Sequence, residues 1–156
     1  MMLISLIGRY CPDYPDLLRS KLYSEETFYT TFLKGLNKCR ESVIIESPFM
    51  TTRRVSMLLP ALIKLRKKAV KITINTRDPE ESDNLRLDCH KALSLLMYEG
   101  IHVVFTKKLP RKIAIIDGTK LWEGSLNIFS QNNSKELMRR SISEKLCNEM
   151  ISFTKS

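Results

Sequence analysis

Residues 110–117, Pro110-Arg111-Lys112-Ile113-Ala114-Ile115-Ile116-Asp117, are followed seven positions later by Gly124-Ser125-Leu126-Asn127. Ile113-Ala114-Ile115-Ile116 is a short apolar run of the kind that forms a buried strand. Asp117-Gly118 predicts a tight turn, and Lys120-Leu121-Trp122 predicts the returning strand. Read on its own, the stretch is a hairpin with a basic entry, Arg111 and Lys112.

The ordered set resembles the signature of the phospholipase D superfamily, His-x-Lys-x4-Asp followed by Gly-Ser-x-Asn. Lys112, Asp117, Gly124, Ser125 and Asn127 match it, whereas Pro110 stands where the family has its histidine. The segment Glu136-Leu137-Met138-Arg139-Arg140 adds to the likeness, which is closest to the subfamilies associated with nucleases and helicases. The resemblance covers roughly residues 25–141, and its specific part spans 110–140. It implies an α/β fold, a mixed β-sheet flanked by helices in an α/β/α sandwich. It also implies a homodimer, because a chain with one motif pairs with a second copy to complete one site.

The resemblance assigns roles residue by residue. Lys112 and Asn127 would bind non-bridging phosphate oxygens. Ser125 would shape the pocket through its hydroxyl or N–H, and Asp117 would end the strand and support the turn. Glu136 lies where the family has a carboxylate that orients the histidine. No metal or other cofactor is implied. In the family one histidine attacks phosphorus and another protonates the leaving group. Proline has no titratable group and no N–H, so Pro110 does neither, and a symmetric dimer loses both copies together. Acid–base catalysis alone contributes about 10²–10⁴-fold. His102, alternating with Ile101 and Val103, and His90, on a polar helix face with Arg86 and Ser94, are poor substitutes. The expectation is therefore a remnant site of Lys112, Asp117, Asn127 and Glu136 that holds phosphodiesters and hydrolyses them weakly or not at all.

Working outward, Ser24 resembles an N-cap for a helix with Phe28, Phe32, Leu33 and Leu36 at helical spacing, ending near Cys39. Val43-Ile44-Ile45 predicts a strand over 42–46. Residues 52–68 predict a helix that Pro60 kinks or restarts. Residues 70–76 alternate as a strand, 84–98 form an amphipathic helix stopped by Gly100, and 101–106 form another strand. Residues 137–141 predict a further strand and 143–153 a C-terminal helix. The expected division is an N-terminal strand or arm, 1–24, whose residues 8–24, holding Gly8, Pro12 and Pro15, read as irregular, and a domain over 25–156. Met1–Ile7 lacks the basic flank and cleavage site of a signal peptide, and no run approaches the roughly 20 apolar residues of a membrane span.

Net charge is +9, and it is clustered. Ser47 to Arg77 contains no acid but includes Arg53, Arg54, Lys64, Arg66, Lys67, Lys68, Lys71 and Arg77. Lys107, Lys108, Arg111 and Lys112 form a second group beside the motif. Such clusters attract polyanions, so nucleic acid, DNA first, is the expected partner. Arg53, Arg54, Lys107, Lys108 and Arg111 are the candidate backbone contacts. Tyr98, Phe105 and Trp122 are candidates for base stacking, with core packing the stronger reading for Phe105 and an alternative for Trp122. Cys11, Cys39, Cys89 and Cys147 lack the spacing of a zinc site and predict reduced thiols in the cytoplasm. The resemblance leaves two alternatives: an active metal-independent nuclease or phosphodiesterase that uses a displaced residue or an altered register near the motif, and a membrane-surface phospholipid-binding protein. Membership of a larger DNA-processing assembly is a further expectation.

Overall fold

The computed structural model describes residues 19–81, 86–130 and 135–155. The expectations for Met1–Ile7 and for most of the arm lie outside them. Among the described residues seven strands form one mixed sheet: β1 (Ser20–Ser24), β2 (Ser42–Glu46), β3 (Lys71–Thr76), β4 (Val103–Phe105), β5 (Ile113–Ile116), β6 (Lys120–Gly124) and β7 (Leu137–Ile142). Their spatial order is β1-β7-β6-β5-β2-β3-β4. β2 is the seam. It runs parallel to β3, which is parallel to β4, and antiparallel to β5, from which β6, β7 and β1 continue antiparallel.

Helices α1 (Glu25–Lys38), α2 (Thr52–Lys67) and α3 (Arg86–Tyr98) pack on one face. Val43, Ile45, Ile74, Ala114, Ile116 and Trp122 point toward them. α4 (Glu144–Thr154) covers part of the other face, setting Cys147, Leu146, Met150 and Ile151 against Ile113, Ile115, Leu121 and Ile44. The strict alternation of strand side chains produces this division. Ile113 and Ile115 bury in one layer, Ala114 and Ile116 in the other. This is the α/β sandwich expected from the sequence.

Local chemistry sets the boundaries. Ser24 caps α1 in a capping box, its N–H donating to Thr27 Oγ1 at 3.0 Å. Phe28 and Phe32 of α1 pack edge-on against Trp122. Each such aromatic burial contributes about 1.5–3 kcal/mol. Ser143 caps α4 by accepting from Leu146 N–H at 3.1 Å.

Two expectations need correction. α2 runs unbroken from Thr52 to Lys67 through Pro60. Pro60 is exposed, and so is Ser56, whose carbonyl loses its helical donor, so water can serve that carbonyl. The end of the arm is also not irregular: Ser20–Ser24 is a full edge strand on β7, anchored by Tyr23, whose ring lies 5.0 Å from that of Trp122. Among the described residues no helix is long and apolar enough to cross a membrane.

Candidate functional site

An open cleft of about 640 Å³ lies where β5 begins and β6 ends, and Pro110, Lys112, Glu123, Ser125, Leu137 and Arg139 are among its walls. Strand register brings these distant positions together. Ile113 pairs with Glu123, Glu123 with Arg139, and Gly124 with Met138. Gly124 is required by contact: a Cβ there would run into the Leu137 carbonyl oxygen and sit 3.0 Å from Met138 Cα. Ser125 then fastens β6 to β7. Its N–H donates to Leu137 O at 3.0 Å, and its hydroxyl accepts from Leu137 N–H at 3.1 Å. Ser125 lines the cleft, but these groups serve the backbone, so its role here is to position the chain.

Asn127 is placed by its neighbours. Leu126, Ile128 and Phe129 are buried. Tyr29 donates its hydroxyl to Ile128 O at 2.8 Å, and Phe129 N–H donates to Ser47 Oγ at 3.1 Å. Thr51 N–H, at the start of α2, donates to Phe129 O at 2.8 Å. Asn127 is 9% exposed, and its Oδ1 is sealed from solvent without a hydrogen-bond partner among the described residues. An orphaned buried amide oxygen costs about 1–3 kcal/mol, so the segment is held by its apolar flanks against that cost.

Between Pro110 and Lys112, Arg111 turns inward. Its Nε donates to Glu46 Oε2 at 2.7 Å and its Nη2 to Oε1 at 3.4 Å. The Glu46 side chain is 2% exposed and that of Arg111 30%. Asn75 Nδ2 donates to Glu46 Oε1 at 3.3 Å, and Thr106 Oγ1 donates to Asn75 Oδ1 at 2.8 Å. The hydrogen bond to Glu46 raises the Arg111 pKa, outweighing the effect of burial. Arg77 Nη2 donates to Leu109 O at 3.0 Å, pinning the residue before Pro110. The sequence reading passed over Glu46. A carboxylate closing the apolar run Val43-Ile44-Ile45 was the signal for it.

Residues 32–154 match the family described as cardiolipin synthase, PLD-like domain. The chain belongs to this PLD-like family. Solved PLD-like structures agree in fold. Nuc from Salmonella typhimurium, a phospholipase D family member, superposes with TM-score 0.70 at 15% identity, covering 86% of this chain and 90% of that one. NucT from Helicobacter pylori gives 0.68 at 19%, covering 87% and 92%. TrmBL2, described as an archaeal chromatin protein with a novel mode of DNA binding, gives 0.57 at 12%, covering 85% of this chain and 49% of that one. At such identities the likeness is one of fold. No match is found among curated protein sequences.

The PLD-like frame separates the remaining expected residues. Asp117 sits at the opposite end of β5 from Lys112, roughly 16 Å along the strand. Its carboxylate accepts from the N–H groups of Arg40, Glu41 and Ser42 at 2.8–3.2 Å and from Cys39 Sγ at 3.2 Å. Burial opposes ionisation, but these donors outweigh it and hold the Asp117 pKa below the usual carboxylate value. Asp117 is therefore a structural clasp and not a cleft residue. Glu136 is half-buried and immediately precedes the cleft-lining Leu137.

Of the candidate backbone contacts, Arg111 and Arg54 are engaged within the protein. Arg111 is held by Glu46. Arg54 lies 3.8 Å over the Tyr29 ring and pairs with Glu25 at 3.4 Å. Arg53, Lys107 and Lys108 are exposed. Tyr98 and Phe105 are exposed, whereas Trp122 is 1% exposed and belongs to the core, which removes it as a stacking platform. His90 pairs with Glu80 at 3.4 Å on α3. His102 precedes the edge strand β4, three strands and roughly 14 Å from β5. Neither lines the cleft. Among the described residues no three His, Cys, Asp or Glu side chains converge as metal ligands.

Proposed function

We propose that this PLD-like chain binds nucleic-acid phosphodiesters, DNA in the first instance, in a cleft whose hydrolytic step is disabled at position 110. The observation that carries this reading is the sharing of one cleft by Pro110 and Lys112. Lys112 supplies a cation for a phosphate oxygen. Pro110, at the position the family motif gives to histidine, supplies neither a nucleophile nor a proton. Arg139 adds a second cation at the wall, and Lys107 and Lys108, three and two residues before Pro110, are exposed. Such contacts position a backbone without reading its sequence. The shared fold of TrmBL2, described as binding DNA, is consistent with this use of the scaffold.

The same reading takes the active form as a homodimer, with two copies of Lys112 facing one phosphate across a two-fold axis. The apolar wall residues Leu22 and Leu137, 59% and 54% exposed, offer the surface that a second copy would cover. It places the protein in the cytoplasm, in keeping with the unpaired thiols of Cys39, Cys89 and Cys147, as one part of a larger DNA-processing assembly.

The deciding experiment measures binding and cleavage of single- and double-stranded DNA with chelator present, in parent and Lys112→Ala, beside anionic phospholipid vesicles. The expected result is salt-dependent DNA binding, weakened by Lys112→Ala, with no cleavage. On duplex DNA, log affinity falls with log salt by about 0.9 per phosphate contacted. Chelator-resistant cleavage lost in Lys112→Ala would make the chain an active nuclease. Binding confined to vesicles would make it a lipid-surface protein.

A further inference from the structure

On the helical face of the sheet, remote from the motif cleft, α1 and β6–β7 enclose a second pocket of about 170 Å³. Its walls carry Lys34, Lys38, Lys120 and Arg140, four positive charges, and no carboxylate. The arrangement follows from two periodicities. Thr31, Lys34, Gly35 and Lys38 share one face of α1 at helical spacing, and Lys120, Trp122 and Arg140 point to the same side of β6 and β7. Among the described residues, none of the four cations has an anionic partner. Arg140 is half-buried, with its guanidinium carbon 5.4 Å from the Tyr23 ring centroid and 5.7 Å from that of Trp122. Its Nε is sealed from solvent and lacks a hydrogen-bond partner among the described residues.

Like charges gathered around a concavity repel. An anionic group seated among them removes that penalty. A volume below the roughly 300–1,000 Å³ of small-molecule sites suits a single phosphate group.

We infer that this pocket is a phosphate-binding site separate from the motif cleft. Lys34, Lys38, Lys120 and the Arg140 guanidinium, which lines the pocket beside Trp122, neutralise the anion. Taking a nucleic-acid backbone as the source of the phosphate rests on the function proposed above. The pocket's affinity for a phosphate group does not.

Trp122 is the only tryptophan of the chain and lines this pocket, so its fluorescence reports directly on occupancy. The test titrates inorganic phosphate, and then a single-stranded oligonucleotide, at matched ionic strength. The proteins are the parent, Lys34→Gln/Lys38→Gln/Lys120→Gln, Lys34→Gln alone on its exposed helix face, and Lys112→Ala. Phosphate should give a saturable response in the parent and in Lys112→Ala. The response should weaken at least tenfold in the triple variant and partly in Lys34→Gln, which covers the case of a misfolded triple variant. No saturable response in the parent, equal affinity in the lysine variants, or loss in Lys112→Ala would overturn the assignment. If the oligonucleotide is a source, its salt slope should drop by about 0.7 per contact removed. An unchanged slope beside a lost phosphate response leaves a site for free phosphate. Phosphate binding without any oligonucleotide binding sinks the proposed function and leaves the pocket standing.

Discussion

Glu46 Oε2 accepts a 2.7 Å hydrogen bond from Arg111 Nε across the seam between β2 and β5. The Glu46 carboxylate is almost wholly buried while the guanidinium retains water. The two partners are therefore not equivalent. Removing Arg111 strands a buried carboxylate that, among the described residues, only Asn75 still hydrogen-bonds, whereas removing the charge of Glu46 frees an arginine that can turn to solvent.

Arg111→Ala should accordingly destabilise the fold by about 3–5 kcal/mol, the usual cost of leaving a buried ion unpaired. Glu46→Gln should cost less, about 1–2 kcal/mol, because the amide keeps hydrogen bonds at the same place. Urea unfolding of both variants measures the difference. Equal losses would refute the inequality of the two partners.

The Asp117 carboxylate is held below its ordinary pKa, so its contribution has a defined sign. Its stabilisation is complete above the unfolded carboxylate pKa near 3.9 and is lost as pH falls through the lower folded value. Asp117→Ala should cost about 1.5–3 kcal/mol at pH 7, and the gap from the parent should close on acidification below about pH 4. Thermal melts from pH 7 to pH 3 test this. A gap that persists undiminished at pH 3 would refute it.

Gly124→Ala forces a methyl group into the Leu137 carbonyl and Met138 Cα. Backbone atoms cannot step aside as a side chain would. The variant should lose more than the 1–3 kcal/mol of ordinary overpacking and should weaken DNA binding with it, since Ser125 and Leu137 shape the same cleft. A variant with parental melting temperature would show that β6 and β7 separate easily.

Pro110→His places an imidazole at the cleft wall beside Lys112. If the oxyanion-binding groups remain in position, chelator-resistant phosphodiester hydrolysis should appear where the parent has none. Pro110→His combined with Lys112→Ala should abolish it again. The obstacle is backbone shape, because proline holds φ near roughly −65°. An inactive Pro110→His with intact DNA binding would show that the cleft retains a phosphate but not an attack geometry.

The hairpin, the seam strand and the sandwich layers were legible in sequence because the period of the apolar residues marks each one. Ile113-Ala114-Ile115-Ile116 and Val43-Ile44-Ile45 announce buried strands, and Phe28, Phe32 and Leu36 announce a helix face. What charge alone could not say is whom each cation faces. Arg54 and Arg111 look in sequence like Arg53 and Lys107, yet one lies over Tyr29 and the other is drawn into Glu46 by a strand 65 residues away. Asp117 belongs to the motif by spacing, but four residues of extended chain carry it away from Lys112. Lys34 and Lys38 gave no signal as part of a site, because their companions Lys120 and Arg140 join them only through the packing of α1 on β6 and β7.

The outermost strand of the antiparallel half has a consequence for how the molecule comes into being. Among the described residues β1 precedes every other element of the sheet, yet its hydrogen-bonding partner is β7, the last strand. Leaving a ribosome, Ser20–Ser24 must wait with its backbone unpaired until Leu137–Ile142 has been made. The wall that joins Leu22 to Leu137 and Arg139 is thus the final piece of the cleft to close, so a nascent or truncated chain without β7 carries an unfinished site whatever the state of Lys112.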